Sequence, residues 1–131
     1  MADPIEGIFT EEPPIVFVFS DARGKTAVGV VEAAAAQFTD EIVTIKQLGN
    51  VHDIQMVREY LDANTEDNAE VAVFHTIVDR NLRRDIRREL DERGIPSIDL
   101  LGPAITIIST LTGEEPKYET GRRTQIQIEE G

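Results

Sequence analysis

The most constraining feature of this sequence is the regular alternation of short apolar runs with segments of helical periodicity. Apolar runs at 15–19, 42–45, 71–74 and 95–101 predict four strands, and segments at 25–38, 52–61, 79–93 and 104–111 predict four helices. Continuous apolar strands are typical of a buried parallel sheet, and strand–helix–strand units require right-handed crossovers. We therefore expect an α/β chain: a three-layer, Rossmann-like or flavodoxin-like domain with a mainly parallel sheet of about four strands.

The two ends of the chain differ from this pattern. Residues 1–14 are acidic and contain prolines, so we expect a flexible lead-in before an α/β domain at 15–113. Beyond Gly113, residues 114–131 are polar and lack periodicity, which predicts an extended tail without a core of its own.

Composition excludes several classes of function. The net charge of −12 argues against nucleic acid as a partner, because nucleic-acid binding depends on cations that neutralise phosphates. No apolar run approaches the length of a membrane span, and the absence of cysteine excludes disulfides and thiolate nucleophiles. His52 and His75 lie far apart without metal-ligand spacing, so no metal site is predicted. We expect a cytoplasmic protein.

The first strand is followed by a candidate phosphate site. The loop contains Ser20, Asp21, Gly24, Lys25 and Thr26, immediately before a predicted helix. Helix N-termini offer free N–H groups to anions, and ligands bind at the carboxyl ends of parallel strands. The loop is not a Walker A motif, because Phe19 stands where that motif needs its first glycine. The alternative, in which Ser20 or Asp21 only caps the helix and Lys25 is solvated, is equally open.

Three further polar residues follow later strands. Thr76 and Asp79 come after the third strand and Asp99 comes at the end of the fourth, so they could share one crevice with the Ser20–Asp21 loop. For Asp79 we favour a simpler role, the N-cap of the next helix.

That helix carries five arginines on one face. They are Arg80, Arg83, Arg84, Arg87 and Arg88. Neighbouring acidic residues favour a solvated face, and the alternative is a docking face for an acidic partner, a second subunit or the chain's own acidic tail.

Three stretches together resemble the regulatory proteins of pyruvate, phosphate dikinase and phosphoenolpyruvate synthase. They are the run from Val16 to Asp21 continuing into Gly24-Lys25-Thr26-Ala27, then Thr76-Ile77-Val78-Asp79, and the run from Gly94 to Pro103. The last stretch is the most specific, and the resemblance spans residues 15–121. Two departures are Ala22-Arg23, where the family usually has hydroxyl residues, and Arg122-Arg123, where it tends to have a histidine.

The resemblance implies a bifunctional serine/threonine kinase and phosphorylase, which is a phosphotransferase. Such an enzyme uses ADP (or ATP) and Mg²⁺ to phosphorylate a threonine of the dikinase or synthase, and phosphate to reverse the modification. Its nucleotide-binding P-loop lies in a C-terminal kinase domain, so the tail at 114–131 would lead to a domain absent here. We expect the isolated chain to be inactive, with the client enzyme as partner and a homodimer among its assemblies. The alternatives are a non-catalytic phosphate-binding or dimerisation module and a small phosphate-binding enzyme.

Overall fold

A computed structural model describes residues 12–66 and 69–131, so the predicted lead-in at 1–14 lies almost entirely outside the described part. The prediction of an α/β fold is confirmed, since four strands alternate with four helices in the described residues. The strands are β1 (Ile15–Ser20), β2 (Thr44–Leu48), β3 (Val71–Thr76) and β4 (Ser97–Asp99). The helices are α1 (Lys25–Ala35), α2 (Ile54–Asn64), α3 (Arg80–Glu92) and α4 (Gly102–Thr112).

The four strands form one sheet, parallel throughout, in the order β2-β1-β3-β4. Ile15 of the interior strand β1 is in register with Thr44 on one side and Val71 on the other. This order is the flavodoxin-like one, in which the chain leaves β1 and β3 in opposite directions. The loops after β1 and β3 therefore diverge, and the crevice between them is where ligands bind in open α/β sheets.

Helices α2 and α3 cover one face of the sheet and form the main core with it. The apolar stripe of α3, which comprises Leu82, Ile86 and Leu90, packs in one cluster with Phe17 and Phe19 of β1. The two phenylalanines share a face because side chains alternate along a strand. Each fully buried Leu, Ile or Phe contributes about 1.5–3 kcal/mol, so this cluster is the chief source of stability.

An ion-pair network joins α2 to α3 at the outer edge of that core. Glu89 accepts hydrogen bonds from Nε of Arg58 and Nε of Arg93, both at 2.8 Å, and Arg93 also contacts Asp62 at 2.8 Å. The hydrogen bonds from Arg58 and Arg93 hold the pKa of Glu89 below its ordinary value. Glu89 is therefore committed to these two cations rather than to the arginines earlier in α3.

Helix α1 lies on the opposite face, where Ala27 and Val31 pack against Val16 and Val18 of β1. Helix α4 follows β4 and is mostly exposed. Its Ile107, Ile108 and Leu111 are 67%, 61% and 81% exposed, so a row of apolar side chains faces outward. Even so, no helix in the described ranges has both the length and the apolar character needed to cross a membrane.

Several predicted element boundaries differ from those in the structure. β2 occupies Thr44–Leu48 instead of 42–45, because an edge strand tolerates polar residues such as Lys46 and Gln47 within it. The predicted fourth strand at 95–101 shortens to three residues, since Leu100 and Leu101 already turn toward α4.

Candidate functional site

The loop between β1 and α1 is held in place by hydrogen bonds from its first residues. The buried hydroxyl of Ser20 accepts a hydrogen bond from the backbone N–H of Ala22 at 2.9 Å. Oδ2 of Asp21 accepts one from the backbone N–H of Val78 at 2.7 Å and one from the hydroxyl of Thr120 at 3.2 Å. Asp21 thus ties the loop after β1 to the loop after β3 and to the C-terminal tail.

The same loop packs closely against the loop that follows β2. Its Ala22 carbonyl accepts a hydrogen bond from Asn50 at 2.9 Å, and a Cβ added to Gly49 would lie only 2.8 Å from that carbonyl oxygen. Gly49 is therefore needed for the close approach of the two backbones.

Helix α1 begins without a side-chain cap. Gly24 occupies the N-cap position in the left-handed region, with φ of 81°, and no side chain accepts a hydrogen bond from the first turn. The N–H groups of this turn remain available, and the helix dipole favours a negative charge beside them. Lys25 and Thr26, the first two helical residues, are exposed. Neither Ser20 nor Asp21 caps α1, so this end of the helix can hydrogen-bond to an anion.

A cavity of about 500 Å³, referred to below as the central cavity, opens at this helix end. Its lining comes from the loop after β1, from the end of β3 and from the tail. Four cationic residues and two carboxylates contribute to it: Arg23, Lys25, Arg122, Arg123, Asp21 and Glu119. Arg122 is paired with Glu119 at 3.2 Å, and Asp21 accepts from Val78 and Thr120, so the cationic groups are in excess.

The central cavity brings together most of the predicted site. Ser20, Asp21, Gly24, Lys25 and Thr26 all line it, and so does Thr76. Asp79 lines the neighbouring cavity beside Asp21. Its N-cap role is confirmed, because its carboxylate accepts a hydrogen bond from the backbone N–H of Leu82 at 2.9 Å.

Asp99 does not line the central cavity, which separates it from the crevice predicted to contain it. The reason is local hydrogen bonding. Its Oδ1 accepts from the backbone N–H groups of Leu101 at 3.0 Å and Gly102 at 2.8 Å, while its Oδ2 lies 3.5 Å from Nε of Arg83. A Cβ on Gly102 would overlap that Oδ2 and lie 3.0 Å from a guanidinium nitrogen of Arg83. Asp99 therefore orders the start of α4.

Most of the arginines predicted to form one face of α3 line a common cavity. Four of them line a third cavity together with His75 and Asp99, and these are Arg80, Arg83, Arg84 and Arg87. Arg88 does not line it. The predicted docking face is thus concave over most of its length.

The tail is the part of the site that the sequence pattern missed. Tyr118 lies beneath the guanidinium of Arg80, 5.1 Å from ring centroid to carbon, and Thr120 contacts Asp21. Arg122 and Arg123 line the central cavity. A polar segment without periodicity carries no signal for such contacts, although the paired arginines in an acidic chain are a usable hint.

A larger cavity, of about 760 Å³, lies at the opposite edge of the sheet. It is bordered by Ile15, Val71, Gly94 and Pro96, at the amino ends of the strands. We give it less weight because ligands of open parallel sheets bind at the carboxyl edge, where the polar groups of this chain converge. In the described ranges, no group of three or more His, Asp or Glu residues is placed to hold a metal ion.

The profile of the kinase/pyrophosphorylase family matches residues 16–130 of this chain. A relative from Halalkalibacterium halodurans, named "Putative pyruvate, phosphate dikinase regulatory protein", is 34% identical over 111 residues, covering 85% of this chain and 40% of the relative. Relatives with the same name from Desulfitobacterium hafniense and Carboxydothermus hydrogenoformans are 34% and 30% identical, over 83% and 85% of this chain and 39% of each relative.

The chain therefore spans about two fifths of the length of these curated relatives. Two of the stretches that carry the resemblance have structural roles: Asp21 links three segments, and Asp99 and Gly102 build the start of α4. With 16–130 matched, the chain belongs to the kinase/pyrophosphorylase family.

Proposed function

We propose that this chain is the N-terminal domain of a bifunctional protein kinase and phosphorylase. The enzyme would phosphorylate a threonine of pyruvate, phosphate dikinase or phosphoenolpyruvate synthase in an ADP-dependent reaction and remove the phosphate in a phosphate-dependent one. The observation that carries this proposal is the family match across 16–130, together with relatives named as dikinase regulators.

On this proposal, the described residues do not carry out phosphoryl transfer by themselves. Transfer from a nucleotide needs a backbone cradle for its phosphates and groups that hold Mg²⁺. Phe19, at the position where a Walker A loop has its first glycine, is fully buried and meets the ring of Tyr60 edge-on at 5.9 Å. Asp21, in the loop before α1, already accepts hydrogen bonds from Val78 and Thr120. These residues do not fit a nucleotide with its Mg²⁺, and we assign that binding to the part of the relatives outside this chain.

The role we assign to this domain is recognition at the carboxyl edge of its sheet. The uncapped end of α1 and the excess cations of the central cavity favour binding of an anionic group there. A phosphate, or a phosphorylated or acidic segment of the client, has the matching charge.

A chimera tests the proposed activity. This chain would replace the matching N-terminal two fifths of the H. halodurans relative, and threonine phosphorylation of purified dikinase and of purified synthase would be followed by mass spectrometry with ADP present. We expect phosphorylation of one client by the chimera and none by the isolated chain. A folded chimera that modifies neither client, combined with no binding of either client by the isolated chain, would refute the proposal.

A second candidate, a non-catalytic phosphate-binding module, is favoured by the same uncapped helix end. Calorimetric titration with phosphate, pyrophosphate and ADP would compare the wild type with Lys25→Ala. Lys46→Ala is the matched control, because Lys46 does not line the central cavity. We expect Lys25→Ala alone to weaken phosphate binding. If neither variant changes the affinity, the central cavity is not the binding site.

A further inference from the structure

The third cavity, formed by the arginines of α3, has no lining residue in common with the central cavity. It has a volume of about 370 Å³ and is referred to below as the arginine cavity. Its charged or titratable lining residues are His75, Arg80, Arg83, Arg84, Arg87 and Asp99.

The arginine cavity has four guanidinium groups and a single carboxylate in its lining. That carboxylate, Asp99, is shared between Arg83 and the start of α4. Nε of Arg84 lies 3.6 Å from a carboxylate oxygen of Asp85, which is a loose contact, and the Arg84 side chain is 50% exposed. Within 12–66 and 69–131, no carboxylate pairs with Arg80 or Arg87. The cavity therefore has positive charge that its own acidic neighbour does not neutralise.

One acidic residue of α3 is paired with cations outside the cavity. Glu89 binds Arg58 and Arg93 on the α2 side of the helix. Glu89 is therefore not available to neutralise the arginines that line the cavity.

His75 supplies an independent indication of a ligand. Its side chain is 1% exposed, it lines the arginine cavity, and its Nδ1 has no hydrogen-bond partner in the described part of the chain. A buried polar atom left unpaired costs about 1–3 kcal/mol, so nearly all such atoms in folded proteins are paired. Burial has the largest effect on the pKa of His75 and lowers it. The negative charge of Asp99 raises this pKa, and the positive charges of Arg83 and Arg87 lower it. A neutral imidazole can still donate from Nδ1 to a ligand oxygen.

We propose that the arginine cavity is a binding site for a small, doubly charged oxyanion of the phosphate class. Arg80, Arg84 and Arg87 donate charge-assisted hydrogen bonds to its oxygens, and Nδ1 of His75 donates a further one from the floor of the cavity. Arginine suits this role because its planar fork of N–H donors matches phosphate geometry. The anion is either inorganic phosphate or the terminal phosphoryl group of a small monoester, and the two share this chemistry. The site does not depend on the proposed kinase function.

The test is a titration of the whole chain with inorganic phosphate, glycerol 2-phosphate and sulfate, followed by calorimetry and by the NMR signals of the His75 ring nitrogens. The double variant Arg84→Gln/Arg87→Gln removes two of the donors without touching the core. Arg88→Gln is its matched control, an arginine of the same helix outside the cavity. The His75 ring signals separate this site from the central cavity, because His75 does not line that cavity.

We expect saturable phosphate binding that shifts the His75 Nδ1 signal. The double variant should weaken the binding reported by His75 about tenfold or more, while Arg88→Gln changes it less than about twofold. Equal binding of the monoester would identify a terminal phosphoryl group, and binding of phosphate alone would identify the free ion.

Three results would overturn the proposal. They are the absence of saturable binding at millimolar phosphate, an equal loss in Arg88→Gln and the double variant, and binding that leaves the His75 signals unchanged. The second would indicate a diffuse charge effect of the whole helix, and the third would place the anion elsewhere.

Discussion

Replacing Asp21 with alanine should destabilise the protein although the residue is at the surface of a loop. The carboxylate accepts a hydrogen bond from the half-buried backbone N–H of Val78 at 2.7 Å and another from exposed Thr120 at 3.2 Å. Leaving a buried donor without its partner costs about 1–3 kcal/mol. The exposed Thr120 contact adds no more than about 0.5 kcal/mol. We therefore expect Asp21→Ala to lower the free energy of unfolding by about 2 kcal/mol.

Urea denaturation followed by circular dichroism measures this loss. With a urea dependence of about 2 kcal/mol per molar, the midpoint should fall by about 1 M. Asp21→Asn keeps a side-chain oxygen that can accept from Val78, so it should lose less than about half as much. Thr120→Val removes only the tail contact and should shift the midpoint by less than about 0.3 M.

The order of the three variants is the critical outcome. If Asp21→Ala stays within about 0.5 kcal/mol of the wild type, the bond to Val78 does not stabilise the fold. If Thr120→Val costs as much as Asp21→Ala, the tail contact and not the loop contact is the stabilising one.

Further changes test the packing. Gly29→Ala should raise the free energy of unfolding by about 0.5–1 kcal/mol, because Gly29 is helical and a Cβ there meets nothing within 4 Å. Gly102→Ala should lower the free energy of unfolding by about 1–3 kcal/mol, because its Cβ would overlap Asp99. Urea denaturation midpoints check both predictions. Ile86→Ala should cost about 2–5 kcal/mol by the same assay, since Ile86 is fully buried. Because the pKa of Glu89 is lowered in the folded protein, this carboxylate stabilises the fold above pH 4.5, its ordinary pKa, and that stability is lost as the pH falls further. The melting temperature of Glu89→Gln should therefore decrease less steeply with acidification than that of the wild type.

The features predictable from the sequence are those with a local cause. The bounds of α3 follow from the Asp79 cap and from Gly94, whose φ of 71° suits a residue just beyond a helix. The same holds for α4, where proline lies in the first turn and Gly113 ends the helix in the left-handed region. The convergence of Ser20 to Thr26 with Thr76 follows from the parallel sheet itself, because every strand ends at the same edge.

The features that could not be predicted depend on contacts between distant segments. Nothing in the local pattern of Tyr118 or Thr120 indicates that they contact Arg80 and Asp21. Asp99 is equally ambiguous, because a strand-terminal aspartate can face a crevice or accept hydrogen bonds from the next helix, and the structure shows the second arrangement with Arg83 beside it. The unpaired Nδ1 of His75 becomes visible only once its surroundings are known.

The position of β1 in the sheet has a consequence for the folding pathway. The bond between Asp21 and Val78 joins residues 57 positions apart, and the contact with Thr120 spans 99 positions. Pairing of β1 with β2 closes a shorter loop, so it should form first and leave the apolar strand Ile15–Ser20 with one open edge until β3 docks. Contacts made late change the unfolding rate more than the folding rate. Loss of the Asp21 carboxylate should therefore shorten the lifetime of the native state while refolding keeps its speed.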